Sequence, residues 1–346
     1  MGNMNVNNPN MKSIPKPPSL MASLVGGFDS VTNHIYLIFF PVILDVFFWL
    51  GPRLRLTSII QYFLDQLERG SNEALKSSSP DMIEMMKVTR SVWELIAERA
   101  NLFTALRTYP VGVSSLMAGR MPVDSPLGIP GGIEITFGSF FGFWLILTII
   151  GLVLGTLYFY YTAQVASGNP IVWLQSLQDI PNIFLQVLWL TVFLAILFMV
   201  LSIPVLIIFS IIVLVIGSFG QWIVLLLTGL LLWLLLPLLF TFHGIFVNRL
   251  KMFPSFWRGI RFAQFTLSQT SLFILIAIVI SQGLDLLWQI PPENSWMSLI
   301  GIFGHGFVFT GLLSASFIYY QQSDKWMQEV LNIKMVAQSG LDKQTV

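Results

Sequence analysis

Residues 183–240 read IFLQVLWLTVFLAILFMVLSIPVLIIFSIIVLVIGSFGQWIVLLLTGLLLWLLLPLLF, and across those 58 positions there is no Asp, Glu, Lys, Arg or His. A helix rises about 1.5 Å per residue, so two helices of this material each cross a hydrocarbon layer about 30 Å thick. Water is no solvent for such a segment, and the chain is read as an all-α, polytopic transmembrane helix bundle built around it. Pro204 is expected to bend the first of the two helices, with the turn at Gly217, Ser218, Phe219 and Gly220. The spans then run over about 183–216 and 221–247. Three shorter helices, one of them re-entrant at 205–216, are the alternative.

The whole composition agrees. Apolar residues make up 55% of the 346 positions and charged residues 10%, far from the soluble norm. A formal net charge of +1 gives no basic surface for nucleic acid and no acidic tail. With no cysteine, disulfides, thiolate metal sites and a cysteine nucleophile are excluded. Lys12 and Lys16 stand well before the first apolar run and no small-x-small cleavage site follows it, so that helix is expected to remain as an anchor.

Outward from the central hairpin, the Asn- and Pro-rich residues 1–18 are expected to be disordered. Ser19 is placed to cap a short helix to about Thr32, followed by a first span over 35–50 that Pro41 would kink. Residues 52–132 carry nine Lys/Arg and eight Asp/Glu and form the large polar region, with amphipathic helices over about 59–67 and 80–109. Their plain reading is a helical cap on the membrane surface; the sharper one is a docking surface for a partner protein. Arg90 and Glu94 are spaced to pair on one helix face. The second span covers about 135–161, where Gly138, Gly142, Gly151 and Gly155 offer small faces to a neighbouring helix. Spans five and six occupy about 267–288 and 296–320, and a polar tail runs over 321–346. Spans two to six make up a bundle over 133–320.

Arg249, Lys251, Arg258 and Arg261 follow the fourth span with no acid among them, which marks a cytoplasmic loop. Six spans then leave both termini cytoplasmic and residues 52–132 outside; a loop of that length is largely exempt from the positive-inside bias. The four cations are topology determinants and candidate contacts for anionic lipid headgroups.

Three segments share one plan of proline, short amphipathic stretch and span. They begin at Pro18-Ser19-Leu20, Pro170-Ile171-Val172-Trp173 and Pro254-Ser255-Phe256-Trp257. Aromatic ends recur as well, Tyr158-Phe159-Tyr160-Tyr161 beside Phe317-Ile318-Tyr319-Tyr320. Three units, each an interfacial helix plus a hairpin, account for this, as does simple accumulation of proline and aromatics at interfaces. The layout over about 18–51 and 135–325 resembles uncharacterised bacterial six-span membrane proteins. It is also similar to the membrane domain attached to some glycerophosphodiester phosphodiesterases. That resemblance implies a six-helix membrane domain and no catalytic residues. The long 52–132 insertion departs from it, and phosphodiesterase activity is not expected.

Ionisable groups inside the spans are few: Asp45, His243, Asp285 and His305, with Glu134 at an entrance. Charge at membrane depth is costly, so such groups face protein or water. In the expected topology Asp45, Asp285 and His305 lie at comparable depth in the outer leaflet, and Gly304 and Gly306 let a neighbour approach His305. They form the candidate polar intramembrane site, with a carboxylate fixing the imidazole tautomer or exchanging a proton with it. The alternative is a pair of interhelical hydrogen bonds or carboxylates reaching the headgroups. His243 is expected at the cytoplasmic interface. Leu313, Ser314, Ala315 and Ser316 are read as a helix-packing surface rather than a nucleophile elbow. No phosphate loop or metal-binding spacing occurs, and no cofactor is expected. Function is therefore expected to be that of a non-enzymatic component that binds membrane lipid, or a partner protein through 52–132. The alternative is a small permease for an apolar or weakly polar solute, with Asp45 and His305 lining the path.

Overall fold

Ser19 accepts the Ala22 N–H at 3.4 Å and opens α1 (Leu20–Asn33), whose Leu24, Gly27 and Val31 are buried. In the computed structural model, which describes residues 15–75, 80–216, 222–223, 225–226, 228–229 and 236–342, the chain then turns through 93° at His34. A 3-10 turn (Ile35–Ile38) leads into α2 (Phe39–Leu50). Pro41 sits in the first turn of α2, where its missing N–H would have had no helical partner, so the bend falls before it and not at it. Most of the N-terminal tail, the turn at 217–220 and much of the expected fourth span lie outside the described residues.

Beyond α2, β1 (Arg53–Arg55) pairs in parallel with β2 (Gly132–Glu134) and brings the two ends of the polar region together. Between them α3 (Thr57–Leu75) and α4 (Pro80–Arg99) pack as a hairpin. Arg90 bonds Glu94 at 2.9 Å and Glu68 across the hairpin. The rest of the polar region behaves differently. From Asn101 to the short α5 (Leu116–Arg120) the chain leaves the surface and enters the bundle, burying Leu102, Leu106, Val111, Val113, Leu116 and Met117.

The receiving surface is α6 (Phe137–Ala166). A Cβ on Gly151 would collide with the Leu106 carbonyl, and one on Gly155 would lie 2.7 Å from Gly112 Cα. These glycines thus admit the end of a short 3-10 helix (Leu102–Leu106) and the turn at Gly112 rather than a neighbouring long helix, which corrects the helix-packing expectation; Gly138 and Gly142 meet nothing within 4 Å. Toward its N-terminal half α6 exposes Phe137, Phe141, Trp144, Ile146 and Ile150, an apolar surface of the kind lipid contact requires.

The long α7 (Trp173–Ile216) packs through Ile183, Val187 and Leu190, while α8 (Thr241–Asn248) returns beside it. In α9 (Met252–Trp288) the helix breaks at Thr266 (φ −116°, ψ 15°), whose hydroxyl bonds the Phe262 carbonyl at 2.7 Å. That break separates an interfacial stretch from a span, close to the expected boundary at 267. The axis of the bundle is α10 (Ser298–Asp342), the most buried of the apolar helices. Around it lie α1, α2, α6 and α9, with Ala315 seated directly against Gly27.

The protein is a multi-pass membrane protein, and its described residues are all-α apart from one two-stranded ribbon. Among the described residues four helices are long and apolar enough to span a membrane, or five if the bent 20–50 pair counts as one.

Candidate functional site

Asp45 lies on the buried face of α2 with no exposure to solvent. Its Oδ1 accepts the Met117 N–H at 2.9 Å and the Ser115 hydroxyl, and its Oδ2 accepts the Leu116 N–H at 3.1 Å. Ser115 caps α5 in turn, taking the Ala118 N–H at 2.9 Å. The carboxylate thus anchors the inward loop by satisfying donors that the irregular backbone would leave bare in a medium without water.

Asp285 and His305 are the second pair, with His305 Nδ1 donating to Asp285 Oδ1 at 2.8 Å. The bond fixes which imidazole nitrogen carries the proton, and Nε2 is buried without a protein partner. Gly306 faces Pro41 and Val42 of α2, while Gly304 takes the Trp288 indole, so both glycines do serve close approach. Asp45 lies within electrostatic range of His305 but makes no hydrogen bond to it, because its oxygens are taken by the loop. The three residues share a neighbourhood in which Asp285 and His305 pair and Asp45 serves the loop.

Gly151 lies midway along α6, about 20 Å from either end, so the segment that crosses it reaches the middle of that helix's length. There stands Arg107, half-buried, its guanidinium 5.5 Å above the Tyr109 ring and without a carboxylate partner among the described residues. It edges a cavity of about 180 Å³ whose walls include Val113, Tyr158, Phe309 and Leu313. The Phe309 ring lies tilted against His305 with centroids 4.2 Å apart, so cavity and histidine are neighbours. Tyr158 is held by Thr310 at 2.9 Å.

Nearer the β-ribbon the loop is tied by Glu293, between α9 and α10. It accepts from Arg99 at 3.2 Å and from the Val123 N–H at 2.8 Å, with Arg120 at 3.8 Å. Arg120 also donates to the Pro291 carbonyl at 2.6 Å, and Trp49 to the Glu293 carbonyl at 2.7 Å. Burial alone would raise the Glu293 pKa; the Val123 N–H and the two arginines outweigh it and hold the carboxyl below the usual range. Arg53, almost fully buried, donates to the Pro122 carbonyl, and desolvation lowers its pKa.

At the opposite end the four expected lipid contacts divide. Arg249 pairs with Asp179 at 3.4 Å, and Arg258 grips Asp324 at 3.0 and 2.6 Å. The acids missing from the local sequence are supplied by α7 and α10. Lys251 and Arg261 stay exposed. His243 is buried, bonded to Ser316 at 3.0 Å and stacked on Phe242. Among the described residues no group of His, Asp and Glu is arranged to hold a metal.

Ser115, Arg107 and Glu293 escaped the sequence reading. Only Glu293 carried a signal, as a lone acid after Pro291 and Pro292 between two spans. Comparisons with known proteins, by family model, by curated sequence and by solved structure, give no match.

Proposed function

We propose that this protein is a non-enzymatic membrane component that binds an anionic amphiphile in the cavity beside Arg107. The observation carrying the reading is an arginine with no carboxylate partner among the described residues, on the edge of a largely apolar cavity and beside the midpoint of α6, which the proposal places at mid-membrane depth. An arginine there costs at least about 2.5 kcal/mol, and such residues usually have a partner. A carboxylate or phosphate headgroup would supply the missing charge, and the Val113, Phe309 and Leu313 walls suit its apolar tail. The six-span arrangement with three helix-plus-hairpin units, cytoplasmic termini and an external α3–α4 hairpin belongs to the same proposal. It is supported by the breaks at His34 and Thr266 and by the basic segment at 249–261.

Native mass spectrometry of protein extracted from its own membrane tests this. Retained anionic lipid or fatty acid is expected on the wild type, falling about tenfold in Arg107→Gln and in Leu313→Trp, which fills the cavity. Wild-type protein free of amphiphile, or equal retention by all three, would sink the reading.

One observation favours a second reading, a small permease: irregular backbone at membrane depth is tolerated where it lines a path, and the loop lies beside the His305–Asp285 pair. Flux of a weakly polar solute into liposomes, lost in His305→Ala with thermal stability kept, would favour it over amphiphile binding.

A further inference from the structure

A separate polar cavity of about 80 Å³ lies at the other end of the bundle, between α7 and the turn after α8. Gln178, Asn182 and Gln186 recur every four residues and line it from one face of α7, facing Arg249. Asp179 completes it, 3.4 Å from the Arg249 guanidinium. The Tyr160 ring lies 4.7 Å from that guanidinium, and its hydroxyl donates to Asp179 at 3.3 Å. Gln186 Oε1 is engaged by the Met252 N–H at 2.8 Å, which leaves its amide NH2 for a ligand.

The ion pair is partly exposed, 33% and 28% for its two side chains, and such pairs contribute little to stability. Arg249 moreover holds a left-handed backbone (φ 53°) at the end of α8, where glycine or asparagine would sit at less cost. Strain of this kind collects at sites where a particular side chain is needed. The level is that of headgroups: Trp173, Leu174 and Leu177 at the start of α7 are exposed, as residues at a lipid boundary are.

We infer that this cavity, independent of the one at Arg107, binds a zwitterionic phosphoethanolamine headgroup. The phosphate is recognised by Arg249 and the amide N–H groups, and the primary ammonium by Asp179. A neutral guanidinium–carboxylate pair fits a ligand carrying both charges better than an anion, which Asp179 repels. A quaternary ammonium has no N–H to donate to Asp179.

The test is native mass spectrometry of the full chain in detergent, titrated with phosphatidylethanolamine, phosphatidylglycerol and phosphatidylcholine of matched acyl chains. Phosphatidylethanolamine is expected to bind about tenfold more tightly than the other two, the ratio one charge-assisted hydrogen bond supplies. Asp179→Asn should remove that preference. Asn182→Leu, which takes away a phosphate contact without touching a charge, should weaken binding of all three lipids and keeps the test open if the first variant does not fold. Soluble phosphoethanolamine distinguishes the sources: competition assigns recognition to the headgroup alone, and its absence assigns it to the intact lipid. Equal binding of the three lipids by the wild type, a preference unchanged in folded Asp179→Asn, or affinities unchanged in folded Asn182→Leu overturns the inference.

Discussion

Gly155 of α6 and Gly112 of the inward loop approach so closely that a single added carbon on Gly155 would lie 2.7 Å from Gly112 Cα. Two backbones are therefore in contact at the depth where a membrane protein can least leave backbone groups unsatisfied. Gly155→Ala is expected to cost about 1–3 kcal/mol through overpacking. Gly142→Ala, where nothing lies within 4 Å, should be neutral or slightly stabilising because alanine is the better helix former. Thermal unfolding of both variants in the same detergent reads the contrast, and equal effects would refute the contact.

Asp45→Ala removes the acceptor of two backbone N–H groups and one hydroxyl. Each buried orphan costs about 1–3 kcal/mol, so a loss of several kcal/mol is expected. Hydrogen exchange should quicken at Leu116 and Met117, with helices α6 and α9 unaffected. Asp45→Asn keeps one acceptor oxygen and should show a smaller change at the same amides.

The Glu293 knot sets an acid limit. Because its folded pKa is below the ordinary 4.5, its contribution is full above that value and is lost as the pH falls through the lower folded one. Melting temperature followed downward from pH 6 should decline in that acid window, and Glu293→Gln should flatten the decline while lowering the starting value.

If a partner protein docks on the α3–α4 hairpin, its exposed Val92 and Trp93 are the natural contacts. Replacing both by serine should release a co-purifying protein and leave the bundle's thermal stability unchanged. Deleting the whole 56–120 segment would be uninformative, since it also takes away the donors that Asp45 binds.

The membrane class was legible because absence of charge over 183–240 is a property no tertiary context can disguise. Asp45, Asp285 and His305 were legible for the same reason, as rare ionisable groups among apolar neighbours. Asp45's partner was not, because backbone N–H groups at Leu116 and Met117 leave no trace in residue identity. The flanking residues 101–132 also read as part of the polar region, although thirteen of those 32 are buried. Pairs such as Arg249 with Asp179 and Arg258 with Asp324 depend on which helices meet, which local pattern does not encode. Gly151 and Gly155 signalled close approach correctly but could not say what approaches.

The helix on which the others pack is translated after all the other described helices. α1 is made before them, yet its close neighbour Ala315 is translated nearly three hundred residues later. The glycine seats on α6 and the carboxylate on α2 must likewise wait for the bundle to close before the loop between them is fully enclosed. Biogenesis therefore ends in a concerted docking step, and chains stopped before 298 should be inserted in the membrane yet remain targets for quality-control proteases.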